Sequence, residues 1–137
     1  MQTYSLNPIG MIRSEIKHRK DAPLFYTDEG APNAVLEIGS QYVEALHRMK
    51  LGDEIIVITW LHQANREVLK VHPRGNRSNP LTGVFSTRSP DRPNPLGLHR
   101  VKVLEINGHR LHIGPIEAID GTPVIDIKPV VGEANDY

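Results

Sequence analysis

HRVKVLEINGHRLHIG, His99 to Gly114, decides the fold class. His99 to Ile106 and Arg110 to Gly114 read as two strands. Asn107-Gly108 between them signals a tight hairpin, because both residues tolerate positive φ. Downstream, Val124 to Lys128 reads as a further strand behind a turn at Asp120-Gly121-Thr122-Pro123. Upstream, Glu54 to Leu61 (EIIVITWL) is rich in β-branched residues and apolar on both faces, which predicts a strand buried on both sides. Ala34 to Ile38, ended by Gly39, and Ile9 to Arg13 add two more. Tyr42, Val43, Leu46 and Met49 recur at spacings of three and four, which predicts a short helix behind Ser40 as N-cap, stopping before Gly52. Short strands, turn chemistry and little helix predict a mostly-β chain: a small mixed β-barrel with one or two short helices and long, ordered Pro/Gly-rich loops.

Those loops lie between His72 and Gly97, where prolines, glycines, asparagines and serines accumulate around one short segment, Val84 to Thr87. Proline fixes φ, and the residue before it avoids the α region, so the stretch reads as an extended loop system and neither a helix nor a central strand. Loops this long are either functional or disordered. Val84 and Phe85 in the middle favour order.

The 137 residues fit one compact domain, residues 1–137. Hydrophobic residues at 39% and charged residues at 23% exclude a disordered or membrane class. Absence of cysteine excludes disulfides, thiolate nucleophiles and Cys-based metal centres. The chain lacks a basic-then-apolar signal segment, and its most apolar stretch, Ile55 to Leu61, is far short of the roughly 20 residues that span a bilayer. A cytoplasmic location with no membrane association is the expectation. The net charge of +0 hides an asymmetry: from Asn65 to Lys102 there are eight basic residues and two acidic ones. This basic stretch admits two readings, arginines that are solvated or paired with carboxylates, and a surface that meets phosphates, RNA included.

No G-x-G-x-x-G, Walker-type loop or G-x-S-x-G occurs, so dinucleotide, NTP and α/β-hydrolase chemistry lacks its usual support. Seven histidines raise the question of a metal, but no H-x-x-x-H pattern appears. His109 and His112 are three apart, on opposite faces of a strand. No metal site is expected. The informative runs are GVFSTRSPDRPNPLGL, Gly83 to Leu98, and DGTPVIDIKP, Asp120 to Pro129. The first presents Thr87, Arg88, Ser89, Arg92 and Asn94 on a backbone stiffened by three prolines, which lowers the entropy lost when a ligand orders them. Its arginines offer forked donors for carboxylate or phosphate. In the second run, alternation puts Asp126 and Lys128 on one face and Ile125 and Ile127 on the other. Such a carboxylate and amine form either a structural ion pair or a proton-handling pair.

These two strings, with IGMIRS (Ile9 to Ser14) and HPRG (His72 to Gly75), resemble the TsaA-like, or TrmO, family over nearly the whole chain. The resemblance implies a β-barrel homodimer that uses S-adenosylmethionine as cofactor and tRNA as partner, methylating N6 of threonylcarbamoyl-adenosine beside the anticodon. The arginine of the family's A-T-R-S string corresponds to Arg88, and the residue after its N-P-x-G segment to Leu98; both belong to the cofactor pocket. Gly114, Pro115, Ile116 and Glu117 are similar to the stretch that lies against the cofactor, and Leu61 and His62 fall where a strand end contributes. The family places Pro-Arg-Gln near the N-terminus in that pocket. Here Leu24, Phe25 and Tyr26 follow Pro23, so the polar contact is lost and only backbone groups could serve. For the substrate side the resemblance, with the basic loop, implies Arg74, Arg77, Arg92 and Asn94. For Arg92 and Asn94 a purely structural role in holding the loop stands beside it. The family's final K-P-Y appears as Lys128, Pro129, Val130, and the chain stops where longer tRNA-modifying members continue into a further domain.

The implied chemistry is one in-line displacement, with the barrel holding the reactants in near-attack geometry. An amide-like N6 is a poor nucleophile until deprotonated, so a base is expected. Asp126 with Lys128 as its orienting neighbour is the first choice, and His62 the second. The alternatives are a methyltransferase for a small metabolite or another macromolecule, and a non-catalytic module that binds S-adenosylmethionine or RNA.

Overall fold

The structure, a computed structural model, describes residues 1–21 and 31–132. Six strands close an antiparallel barrel: β1 (Gly10–Arg13), β2 (Ala34–Ile38), β3 (Glu54–Trp60), β6 (Leu96–Asn107), β7 (Arg110–Gly114) and β8 (Pro123–Pro129), in the order β1-β2-β7-β6-β3-β8. Two-residue strands β4 (Lys70–Val71) and β5 (Thr82–Gly83) pair with each other in the loop between β3 and β6. Alternate residues fill the interior, among them Ile12, Leu36, Val57, Val103, Leu111, Ile113 and Val124, each at most 1% exposed. In a barrel this narrow, inward side chains meet across the axis and leave no channel.

The strands follow the sequence expectations closely, with physical differences at five places. β3 is buried on one face only: Ile55, Val57 and Thr59 point inward, while Ile56, Ile58 and Trp60 are half-buried on the outer wall. The hairpin loop is Gly108-His109, one residue later than the Asn-Gly signal, since Asn107 still pairs with Arg110 and only Gly108 takes positive φ, 63°. The predicted helix is a 3-10 helix, Ser40–Leu46, with Gly39 at the cap position and no side-chain cap, so Ser40 is its first residue. A 3-10 helix rises about 2.0 Å per residue against 1.5 Å for an α-helix, and so crosses the barrel end with fewer residues. Tyr42, Val43, Leu46 and Met49 do pack against the core. The Pro/Gly-rich stretch is ordered, but it contains 3-10 turns at Pro73–Gly75 and Val84–Ser86, and its last residues, Leu96 and Gly97, already belong to the central strand β6.

The fifth difference is a pair of irregularities that shift register. Opposite β3, Ile58 faces Asp126 and Thr59 faces Val124, so Ile125 is an extra residue in β8. In β6 the extra residue is Leu104, 45% exposed. Each bulge reverses the inside-outside alternation beyond it. Val124 and Ile127 therefore both pack inward, while Asp126 and Lys128 share the outer wall as their spacing predicts.

Three connecting segments leave the barrel at one end. Segments 14–33, 61–95 and 115–122 follow the C-terminal ends of β1, β3 and β7, which antiparallel pairing puts at one mouth; the other end is closed by segment 39–53 and the Gly108 turn. Cross-links fix this mouth. Ser14 N–H donates to Asp120 Oδ1 (3.0 Å), Asp120 N–H to the Ile16 carbonyl (2.7 Å) and Ile116 N–H to the Pro32 carbonyl (2.8 Å). Gly121, with φ of 84°, makes the turn expected for Asp120 to Pro123.

The Ser14 N–H holds the Asp120 carboxyl below the usual aspartate range against the opposing effect of burial, with Lys17 Nζ 3.3 Å away as a further contributor. A carboxyl depressed by folding stabilises above its unfolded-state value, and the contribution fades as pH falls through the folded-state value. Asp120→Asn keeps an acceptor and loses the charge. It should cost up to about 1 kcal/mol at pH 7 by urea denaturation. The gap from wild type should close as the pH is lowered below about 4; an unchanged gap at pH 3 would remove the charge as its cause.

Candidate functional site at the barrel mouth

The segment from Leu61 to Pro95 builds most of the mouth, and its own arginines hold it. Arg92 Nη1 donates to the carbonyls of Thr87 (3.0 Å) and Ser89 (2.9 Å), and Nη2 to that of Val84 (2.9 Å). Pro90, Pro93 and Pro95 have no N–H to offer, so a guanidinium fork takes over part of the bonding that a regular strand would supply. Arg66 lies 5.0 Å from the centre of the Trp60 ring, a cation–π distance, and its Nε donates to the Pro93 carbonyl (2.7 Å). Its Nη2 reaches Asn94 Oδ1 at 3.4 Å. Asp91 accepts from Arg19 Nη2 (2.6 Å) and from Asn65 N–H (2.8 Å), tying this segment to the one after β1. Burial acts to raise the Asp91 carboxyl, but these two donors outweigh it and hold it below its ordinary value.

Several of the residues singled out from the sequence belong to segments at this end of the barrel. Leu61 is half-buried and donates its N–H to the Pro95 carbonyl (2.8 Å); His62 beside it is exposed. Arg88 is exposed and makes no hydrogen bond or ion pair among the described residues, so its donors are available. Gly114 and Ile116 are buried, Pro115 is exposed, and the Gly114-Pro115 peptide is cis. A methyl group on Gly114 would lie 2.9 Å from the Asn33 Cα; only glycine lets the two segments approach this closely. Arg92 and Asn94 are engaged in loop contacts as described. Arg74, at φ 59°, and Arg77 are exposed farther along the segment. Leu24, Phe25 and Tyr26 lie outside the described residues.

Leu98, Asp126 and Lys128 are not inside the mouth. They stand on the outer wall, where Leu98 and Asp126 flank Ile58 from its two sides, about 10 Å apart at normal strand spacing. Leu98 is 49% exposed. Lys128 Nζ is 3.3 Å from Asp126 Oδ2, both side chains about half-exposed.

Glu117, named from the sequence, ends a buried polar chain in the barrel interior whose other two members, Thr59 and His99, the sequence reading missed. His99 Nδ1 lies 2.6 Å from Glu117 Oε1, and His99 Nε2 lies 2.7 Å from Thr59 Oγ1. Glu117 Oε2 is buried and has no partner among the described residues. An available signal was the histidine itself, which alternates in phase with the inward Val101 and Val103. Among the described residues no group of three His, Asp or Glu is placed to hold a metal ion, and no helix is long and apolar enough to cross a membrane.

Residues 11–136 match the family profile described as the tRNA-methyltransferase O N-terminal domain. A probable S-adenosyl-L-methionine-binding protein of Methanocaldococcus jannaschii is 46% identical over 110 residues, 77% of this chain and 87% of its own length. A second protein so named, from Methanothermobacter thermautotrophicus, is 45% identical over 90% of this chain and 88% of its own. The crystal structure of TrmO from Pseudomonas aeruginosa superposes with a TM-score of 0.77 at 32% identity, covering 99% of this chain and 60% of that one. The chain thus spans about 60% of the length of that TrmO structure. With its closed six-stranded barrel and a match over almost all of its length, the chain belongs to the TrmO family.

Proposed function

We propose that the protein binds S-adenosylmethionine at the barrel mouth and transfers its methyl group to a nitrogen acceptor, N6 of threonylcarbamoyl-adenosine in tRNA. The observation that carries this reading is a buried acceptor, Glu117 Oε2, and an exposed cation, Arg88, neither with a partner among the described residues, on two segments that meet the same end of the barrel. This donor set fits the cofactor. Its carboxylate suits a guanidinium, its hydroxyl and ammonium groups suit a carboxylate oxygen, and its apolar surface suits the half-buried Leu61. S-adenosylmethionine supplies a methyl group made electrophilic by the sulfonium.

The chain's own residues do the rest. Arg88 and Glu117 orient the cofactor with the backbone from Gly114 to Ile116, and the segment held by Arg92 closes one side. Arg74 and Arg77 meet the RNA backbone, with Arg92 and Asn94 keeping the surface in shape. Asp126, oriented by Lys128, takes the proton from the acceptor nitrogen; His62 is the alternative base. A second copy of the chain, covering the outer wall at Ile58, Leu96 and Leu98, brings Asp126 into an enclosed site, and the homodimer acts in the cytoplasm. Because the two archaeal relatives are named for binding and not for turnover, a non-catalytic S-adenosylmethionine sensor is the second reading.

Calorimetric titration with S-adenosylmethionine and S-adenosylhomocysteine should give micromolar binding that weakens about tenfold in Arg88→Ala, the loss of one charge-assisted contact. Undiminished binding in the variant would take Arg88 out of the site. Asp126→Asn should then bind the cofactor normally while methylating tRNA slowly. Binding without turnover on tRNA or small acceptors would move the sensor ahead. An RNA partner should also be lost steeply as salt rises.

A further inference from the structure

Thr59, His99 and Glu117 form one hydrogen-bonded chain inside the barrel, and the second carboxylate oxygen at its end has no partner among the described residues. Thr59 is fully buried, and the side chains of His99 and Glu117 are 4% and 15% exposed. In a neutral imidazole, Nδ1–H donating to Glu117 Oε1 leaves Nε2 to accept from the Thr59 hydroxyl. The order Thr-His-Glu looks like a nucleophile, its base and an orienting carboxylate. Burial rules that use out. Even a methyl group on Gly97 would sit 2.5 Å from Thr59 Oγ1 and 2.8 Å from His99 Nε2, so no substrate atom can approach the hydroxyl. The chain does its work at the other end, where Glu117 Oε2 is buried and without a partner among the described residues. A buried acceptor left unmatched is costly, so a donor from water, an ion or a ligand is favoured there.

We propose that His99, seated by Thr59, is a positioning residue: it fixes the Glu117 carboxylate so that Oε2 accepts a hydrogen bond from a hydroxyl or ammonium group of the bound cofactor. The inference rests on the reading that the mouth takes S-adenosylmethionine. It adds that two residues which never touch the cofactor set its affinity. Thr59 reaches His99 across the β3–β6 pairing, in which Thr59 stands opposite Gly97. The bulge at Ile125 lies beside Thr59 on its other side. Glu117 comes from the segment after β7, so three separate parts of the chain lock one carboxylate.

The test is calorimetry on the full chain with S-adenosylmethionine, using wild type, Glu117→Ala, His99→Leu, their double variant and the near-isosteric Thr59→Val. Each of the first two should weaken binding about tenfold, and Thr59→Val about threefold. The double variant should bind no worse than Glu117→Ala alone, because His99 acts through Glu117. Adenosine and methionine as competitors separate the two donors. A loss confined to adenosine assigns the ribose hydroxyls, and one confined to methionine assigns the ammonium group. Loss with neither overturns the proposal, as does a double variant that loses the product of the two single effects. If His99→Leu does not fold, Thr59→Val decides, and wild-type affinity there overturns the proposal. A wild-type protein that binds no S-adenosylmethionine removes the functional reading and this inference together. Wild-type binding with unaffected variants removes the inference alone.

Discussion

Arg92→Ala should lose most of its affinity for S-adenosylmethionine, about 30-fold or more, although the barrel itself remains folded. The guanidinium makes three hydrogen bonds to carbonyls of its own segment. Each such bond from a charged donor contributes on the order of 1.5 kcal/mol. Without them the stretch from Val84 to Pro95 keeps its prolines but loses the contacts that set their relative orientation. Arg88 then samples many positions, and apparent affinity falls by the fraction of time the site is assembled. Arg92→Lys should recover only part of the loss, since a single ammonium cannot fork to three carbonyls as a guanidinium does. Limited proteolysis supplies the second readout. Cleavage between residues 84 and 92 should accelerate in Arg92→Ala and stay at the wild-type rate in Arg88→Ala, which removes no loop contact. A variant with intact affinity and an uncleaved loop would mean that the prolines alone hold the segment.

The strand plan was legible because each barrel strand carries its own pattern. Ala34–Ile38 appears at the predicted limits, and the hairpin of β6 and β7 follows its turn signal. What could not be read were features that depend on a neighbour. The bulges at Leu104 and Ile125 exist only relative to partner strands, and nothing in VIDIK shows that Ile125 and Ile127 fall out of phase. β3 looked two-sided because its outer residues are as apolar as its inner ones. A barrel with no second layer over Ile56 and Ile58 among the described residues leaves that face partly open. In a segment of seven residues, spacings of three and four fit a 3-10 helix as well as an α-helix.

The candidate site was legible as strings and not as geometry. GVFSTRSPDRPNPLGL covers one stretch of the candidate site, but it mixes residues of different duty. Asp91 and Arg92 hold the loop, while Arg88 projects from it. DGTPVIDIKP likewise joins a turn locked by Asp120 to an ion pair on the outer wall. Thr59 and His99 are 40 residues apart and meet only through strand register, so no linear spacing could announce them.

Gly114→Ala tests whether barrel and site are one construction, and its effect should be large on both. The added methyl would stand 2.9 Å from the Asn33 Cα and overlap the Asn33 amide. The side-chain amide could swing away, but the Cα cannot, because Ala34 next to it pairs with Ile113 and Pro32 accepts from Ile116 N–H. Relief must come from parting the 31–33 segment from Gly114 to Glu117, at a cost of about 2–3 kcal/mol for overpacking. For a chain of this size that lowers the melting temperature by roughly 8–15 °C. The same displacement moves Glu117 off His99, so cofactor affinity should fall together with stability. Gly83→Ala is the matched control: it adds the same methyl at φ −59° with no atom within 4 Å. Its stability should stay within about 0.5 kcal/mol of wild type. If Gly114→Ala melted like Gly83→Ala, the close approach at Asn33 would not be a constraint on the fold. If it melted early yet bound S-adenosylmethionine normally, the mouth would tolerate a shift of Glu117, and the cofactor contacts would lie with Arg88 and the outer wall.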